Sequence, residues 1–297
     1  MINPFKFFAM PEYFFHPRQA LRRFRRLWHV EQPIEPVRLP WGAVVQAHTR
    51  DMIGHGLYYY GIFDKVVPEA IFRLLDPGEV AVEVGANIGQ NCSCMARRVG
   101  PRGTVLAFEP HPEILAELRA NSALWLDPQF AKVQIEPVAL GAERGEAFLA
   151  NGAEFETNRG SAALREEANS TRGFKVKLAR LDDYLDPVDK IGVCKIDVEG
   201  HELSVLRGAA NTLKRRAIRD ILFEDFHPQP SAVTEVLQQN DYEVFRLADD
   251  WLRPVLLPLE VSLPSGKRDT HNFLATLDPI RSRERYRRIG WRCLMNC

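Results

Sequence analysis

Three short runs place carboxylates or a histidine where an apolar run ends, the place from which a side chain reaches a ligand beyond a sheet edge. In Glu83-Val84-Gly85-Ala86-Asn87-Ile88-Gly89 a carboxylate stands just ahead of a glycine-containing turn. Glycine permits a tight turn and a close backbone approach, and a helix starting there offers free N–H groups. Lys195-Ile196-Asp197-Val198-Glu199-Gly200-His201-Glu202 carries two carboxylates two residues apart, Asp197 and Glu199. Such a pair can hold a substrate hydroxyl, take its proton or bind a metal. Glu199 could equally cap the helix that follows, where an acid suits the dipole. Glu202 reads as a first-turn residue of that helix. Phe223-Glu224-Asp225-Phe226-His227-Pro228 aims Glu224 and His227 at one rim. A histidine titrating near ~6.5 suits a base for an alcohol or phenol; the other reading of His227 is a solvated loop residue. His111 and His201 read as surface residues.

Glu109 closes the next apolar run, 26 residues after Glu83. In a doubly wound sheet that position reaches a ribose diol. Strand, glycine turn, helix, strand and acid together make a nucleotide-site arrangement. The dinucleotide fingerprint G-x-G-x-x-G is incomplete, because Asn87 stands between Gly85 and Gly89. Glu83 would repel a pyrophosphate and attract an ammonium or a sulfonium. S-adenosylmethionine fits: it has ribose and adenine, no phosphate, and a sulfonium. A nicotinamide-dependent oxidoreductase is the alternative enzyme. A metal-dependent hydrolase using Asp197, Glu199 and Glu224 comes next, and a non-catalytic nucleotide-binding module is the alternative outside enzymes.

These residues need elements to carry them. From residue 78 the chain alternates strand and helix. Strands are expected at Val80–Val84, Thr104–Phe108, Val133–Leu140, Gly192–Ile196 and Asp220–Phe223. Helices are expected between them at Gly89–Val99, Pro112–Asn121, Glu202–Leu213 and Ser231–Asn240. Glu243–Leu247 and Asn272–Leu277 lack a long helix between them and read as an antiparallel closing hairpin. Residues 146–178 break the rhythm with glycines and polar residues, and read as an insertion of loops and a hairpin that touches substrate. The alternation predicts an α/β fold, an αβα sandwich around a mostly parallel sheet wound right-handedly. That domain covers 60–280, after an N-terminal extension (1–59) and before a basic C-terminal tail (281–297). Residues 18–29 read as a basic amphipathic helix with Leu21, Phe24, Leu27 and Trp28 on one face, packed on the domain or lying on a membrane.

The 297 residues include 39 Lys+Arg and 39 Asp+Glu, a formal net charge of zero. A hydrophobic content of 45% is enough to bury a core and excludes a disordered chain. No basic excess is available to neutralise phosphates, so no nucleic-acid partner is expected. The charge is uneven, however. Residues 1–38 hold seven basic and three acidic groups, and residues 281–297 six and one, which leaves the body net acidic. The basic ends could touch a membrane surface or an acidic partner. Five cysteines (92, 94, 194, 293, 297) show neither CxxC nor zinc-finger spacing. No disulfide framework and no metal site is expected, and Cys194 reads as a buried apolar residue. No run nears ~18 apolar residues and the N-terminus lacks signal-peptide order, so a cytoplasmic protein is expected.

Taken together, EVGANIGQ (83–90), AFEPHP (107–112), PVALG (137–141), Leu181-Asp182-Asp183, KIDVEGHE (195–202), VLRGA (205–209) and FEDFHP (223–228) resemble the FkbM family of S-adenosylmethionine-dependent methyltransferases. The resemblance runs over 78–278. It implies the class I methyltransferase (Rossmann-like) fold, a seven-stranded sheet with the last strand antiparallel. It implies cofactor contacts at Glu83, Gly85, Asn87, Gly89 and Glu109, with Ala139 near the adenine. It also implies O-methylation of a hydroxyl on a sugar or natural product, hence a small-molecule or glycan acceptor. His55-Gly56-Leu57-Tyr58-Tyr59-Tyr60 would lie over the cofactor. For the proton we expect Asp197 first and His227 second, with Glu199 and Glu224 positioning.

Overall fold

The computed structural model describes residues 10–25, 30–165, 172–185, 190–263 and 268–295. Two short helices, Pro11–Phe14 and Pro17–Arg25, precede a hairpin of β1 (Ile34–Arg38) and β2 (Val44–His48). After helices Met52–Tyr60 and Val66–Leu74 come β3 (Val80–Val84), β4 (Thr104–Phe108) and β5 (Lys132–Glu136), alternating with helices Gln90–Val99 and Pro112–Ser122. Then follow β6 (Ala139–Leu140), β7 (Gly145–Ala150), β8 (Ala163–Arg165) and β9 (Gly173–Ala179). The chain closes with β10 (Ile191–Ile196), β11 (Ile218–Glu224), β12 (Glu243–Asp249), β13 (Val255–Pro258) and β14 (Arg268–Thr276), then helices Pro279–Arg287 and Arg292–Met295.

The central sheet has the order β13-β12-β14-β11-β10-β3-β4-β5. β5, β4, β3, β10 and β11 are parallel, and β14 is antiparallel to both β11 and β12. This is the Rossmann-like α/β arrangement that strand–helix alternation demands. The count differs from expectation: eight strands stand in place of seven. The extra one, β13, pairs on the outer side of β12. Its four residues are too short to carry a period, and they end in Pro258, which an edge strand tolerates.

Successive residues of a strand face opposite sides. Val82, Val84, Cys194, Ile196, Ile221 and Phe223 pack on Val205, Leu206, Leu213, Val233 and Leu237 of the helices that follow β10 and β11. Ala81, Val193, Leu222 and Leu274 face the other layer, with Leu57, Ile71, Leu74 and Met95. That second layer also takes in Val37 and Val45 of the hairpin and Tyr286, Trp291 and Leu294 of the C-terminal helices. The apolar core thus runs unbroken across residues 60 and 280.

Two expected elements divide, each for a local reason. Val133–Leu140 splits at Pro137. Its first half stays in the central sheet as β5, while Ala139–Leu140 crosses to pair with β9. β6, β9, β7 and β8 form a second, four-stranded sheet, so much of the irregular 146–178 region is ordered strand. Glu202–Leu213 becomes two helices, Glu202–Arg207 and Ala210–Lys214, parted at Gly208. A Cβ at Gly208 would stand 2.0 Å from the Gly141 carbonyl oxygen, so only glycine lets the helix pass the second sheet so closely. The N-terminal helix spans Pro17–Arg25, and Leu27 and Trp28 lie outside the described residues.

Much of the C-terminal arginine charge is spent within the molecule. Arg281 Nη2 donates to Asp76 at 2.9 Å, and Arg285 Nη2 donates to both Asp76 oxygens at 2.8 Å. The buried Arg73 donates to Glu69 Oε1 and to the carbonyls of Arg285 and Gly290, each at 2.6 Å. Glu69 Oε2 in turn accepts from the Cys293 amide. Cys92, Cys94, Cys194 and Cys293 are all buried free thiols, and Cys297 lies outside the described residues.

Candidate active site

At the C-terminal ends of the central strands the second face turns polar. Register sets Glu83 beside Lys195 and Glu224 beside Asn272. Period two puts all four on the face of Ala81, Val193, Leu222 and Leu274. Lys195 is the one charged residue in a fully buried strand. Its Nζ donates to Asp197 Oδ2 at 2.8 Å and lies 3.8 Å from Glu83 Oε1. Burial alone would drive this ammonium towards neutrality. The carboxylates of Asp197 and Glu83 outweigh burial, and its pKa is raised. Glu83 is 1% exposed, and its Oε2 has no hydrogen-bond partner. Burial raises Glu83 to about 7, with Lys195 pulling the other way.

Two loops cross just beyond these strands. Gly85 leaves β3 at φ +82°, and a Cβ there would lie 1.9 Å from the Asp197 carbonyl oxygen. Asp197 N donates to Val84 O at 3.0 Å across the same crossing. Glycine is therefore needed for the meeting of two strand ends. Asn87, at φ 48°, donates its amide to Glu109 Oε2 at 2.8 Å, and His111 N donates to Glu109 Oε1 at 2.9 Å. Burial raises Glu109 to about 7 against these two donors. His111 is not a surface residue: it is buried, caps helix Pro112–Ser122, and stacks on Phe155 at 4.7 Å.

These elements enclose a cleft of about 310 Å³, within the range of small-molecule sites. Its lining includes Glu83, Gly85, Asn87, Glu109 and Ala139, together with Asp197, Glu199 and Glu224. His201 also lines it. Glu199 does not cap the following helix. Glu202 Oε1 accepts from Val198 N and Gly200 N instead, and Glu199 sits open at φ 53°. Burial, then Asp197, raises Glu199 to about 7 and Glu224 to about 8.

Two expected residues are not brought in. Gly89 begins helix Gln90–Val99 at φ +97°, and a Cβ there would strike Leu118 and Trp125, so its role is packing. The His227 ring is exposed, with Nδ1 2.8 Å from Asp225 Oδ1, and it stands off the cleft wall. From the expected covering segment His55–Tyr60 no side chain lines the cleft. Met52 and Ile53 of the same helix do, with Phe63 and Asp64.

Asp64, Asn272 and Asp51 carried no sequence signal. Asp64, at φ 39°, lines the cleft and accepts from Asn272 Nδ2 at 2.9 Å; burial raises its pKa. Asp51 joins two walls. Its Oδ2 accepts from Gly54 N at 3.0 Å, capping helix Met52–Tyr60, and its Oδ1 accepts from Arg159 N at 2.8 Å. Loop 158–160 and residues Leu149, Ala162 and Leu164 of the second-sheet region complete the wall. Lys195 did carry a signal, a lysine inside an apolar run, which burial permits only when the charge is paired. Among the described residues no group of three or more His, Cys, Asp or Glu is placed to hold a metal ion.

The cleft fits S-adenosylmethionine on one internal test. Glu83 Oε2 is a buried acceptor without a donor, and such a group is costly unless something supplies one. An α-ammonium does so. Residues 83–244 match the model of a family described as the methyltransferase FkbM domain. The chain is 30% identical over 232 residues to the 31-O-demethyl-FK506 methyltransferase FkbM of Streptomyces tacrolimicus, covering 69% of this chain and 86% of the relative. It is 28% identical over 178 residues to the hexuronic acid methyltransferase AglP of Haloferax volcanii, covering 57% and 67%. Among solved structures, precorrin-6y C5,15-methyltransferase of Geobacter metallireducens aligns with a TM-score of 0.41 at 14% identity, over 71% of this chain and 87% of that one.

Proposed function

The chain belongs to the methyltransferase FkbM domain family, an S-adenosylmethionine-dependent methyltransferase, and from that premise we propose a hydroxyl of a sugar or small natural product as its acceptor. The observation that carries the reading is the polar row. Its Glu83 end offers an unpaired acceptor, and its Glu224 end holds a carboxyl raised to about 8, both in one cleft. The names of the two relatives, one acting on 31-O-demethyl-FK506 and one on a hexuronic acid, support an acceptor of this kind.

S-adenosylmethionine, when bound, supplies a methyl group made electrophilic by its sulfonium. Glu83 accepts from the amino group and Glu109 from the ribose hydroxyls. Holding the partners in line in this way is worth roughly 7–11 kcal/mol in favourable systems. Glu224 takes the proton from the attacking hydroxyl, since a carboxyl titrating near neutrality suits a general base. Asp197 was the first candidate from sequence, but its Oδ2 already accepts from Lys195. It positions the acceptor together with Glu199. His227, off the cleft wall, has no part.

Calorimetric titration with S-adenosylmethionine, S-adenosylhomocysteine and NAD tests the cofactor half. Binding of the first two without NAD is expected, and NAD binding alone would overturn the reading. Transfer of labelled methyl to a panel of hydroxyl, amine and carboxylate acceptors tests the other half. Label appearing only on nitrogen would remove the O-methylation proposal.

A further inference from the structure

The edge of the sheet that carries the cleft also carries an exposed apolar face. β12 and β11 are both antiparallel to β14, so they run the same way, and the turn after β12 lies at the cleft edge. In that turn Leu252 is 47% exposed, and its carbonyl accepts from Gly290 N, which sets Ile289, 69% exposed, beside it. Gly290 itself lies against Met295, 47% exposed, and Phe15. Trp251 packs its ring 4.9 Å from Phe14, which is 58% exposed. At the end of β11, Phe226 lines the cleft and is 66% exposed. Scattered surface apolar residues need no explanation, but a contiguous group does.

Around this face exposed arginines outnumber free carboxylates: Asp250 Oδ1 accepts from Trp251 N, and Glu284 lies on the helix that precedes Ile289. Arg287 and Arg288 directly precede Ile289, Arg18 stands in the first turn of the helix that follows Phe14, and all three are exposed. The nearby carboxylates Glu12 and Asp249 are both tied to Lys65. Residues 39–280 are net acidic, and Arg18, Arg287 and Arg288 are the part of the basic excess of the two ends that this face displays.

We propose that this edge docks on an anionic lipid surface, with Phe14, Leu252, Ile289 and Met295 entering the headgroup boundary and Arg18, Arg287 and Arg288 meeting the lipid charge. Aromatic and aliphatic side chains flanked by arginines match the physical demands of that boundary, and no spanning helix is involved. The same orientation turns the cleft mouth, with Phe226 on its rim, towards the bilayer. The proposal does not depend on the acceptor.

The test is co-flotation of the full chain with phosphatidylcholine vesicles, with and without about 30 mol% phosphatidylglycerol, at low and high salt. Binding should require the anionic lipid and weaken with salt. Leu252→Ser with Ile289→Ser should lower the bound fraction about ten-fold. Melting temperature and S-adenosylhomocysteine affinity should not move, because both side chains are exposed and outside the cleft. Leu126→Ser is the control: Leu126 is 85% exposed in the loop before β5, at the opposite edge, and its loss should leave flotation intact. Absence of flotation, or flotation indifferent to the double variant, overturns the proposal. A dimer in sedimentation velocity that the double variant dissociates, without flotation, overturns it in favour of a second copy of the chain.

Discussion

Glu224 and Glu109 line the same cleft, and single substitutions test the different tasks proposed for them. Glu224→Gln keeps the shape and removes the proposed proton acceptor. Turnover should fall by about 10²–10⁴-fold while S-adenosylhomocysteine affinity stays put, read by steady-state kinetics beside calorimetry. Glu109→Ala should weaken S-adenosylhomocysteine binding by about ten- to a hundred-fold, the worth of charge-assisted hydrogen bonds. Unchanged affinity would remove Glu109 from the ribose site. The carboxylates were legible because each ends an apolar run, and a strand end is a short-range feature. Asp64 was not. It reaches the cleft from a loop and is held by Asn272, 208 positions away, a pairing that only the fold creates. His227 misled for the opposite reason: it neighbours the right strand end, but Asp225 holds its ring outside.

The elements were legible wherever period two or 3.6 was long enough to count, as in β3, β4 and β10. They were misjudged where one residue interrupts a run. Pro137 hands the chain from one sheet to the other, and Gly208 parts a helix because a carbonyl passes where a side chain would sit. β13, too short for any period, went unseen. Gly85 is the strictest position of this kind. Gly85→Ala must both fit a Cβ 1.9 Å from the Asp197 carbonyl and hold φ +82°. Backbone strain alone costs about 1–3 kcal/mol. The variant should melt at least several degrees lower and lose S-adenosylhomocysteine binding. A wild-type melt would mean that the crossing of β3 and β10 is looser than described.

Across the whole molecule the buried carboxyls set a pH dependence. Glu83, Glu109 and Glu199 are raised to about 7 and Glu224 to about 8, from an ordinary 4.5. Between those values the folded chain holds protons that the unfolded chain has released. The stability they lend is fully present below about 4.5 and is lost as pH rises through 7 to 8. His16, His111 and His201 are lowered by burial, so their contribution rises until the unfolded imidazoles lose their protons near 6.5. Between about 4.5 and 6.5 the four carboxyls outweigh the three imidazoles, so without ligand the melting temperature should fall as pH rises from about 5 to 8, more steeply once the imidazoles stop opposing it, and Glu224→Gln should flatten that fall in scanning calorimetry. A flat profile above pH 6.5 would mean that the cleft is wetter than the burial of Glu83 implies. A different consequence follows from the four buried thiols. An alkylating reagent can reach each only when its own part of the molecule opens, so labelling serves as a clock for breathing. Cys293 hangs on the C-terminal clamp through Glu69, whereas Cys194 lies in the middle strand of the sheet. Mass spectrometry should find Cys293 carrying the label first, with Cys194 waiting for the whole chain to unfold.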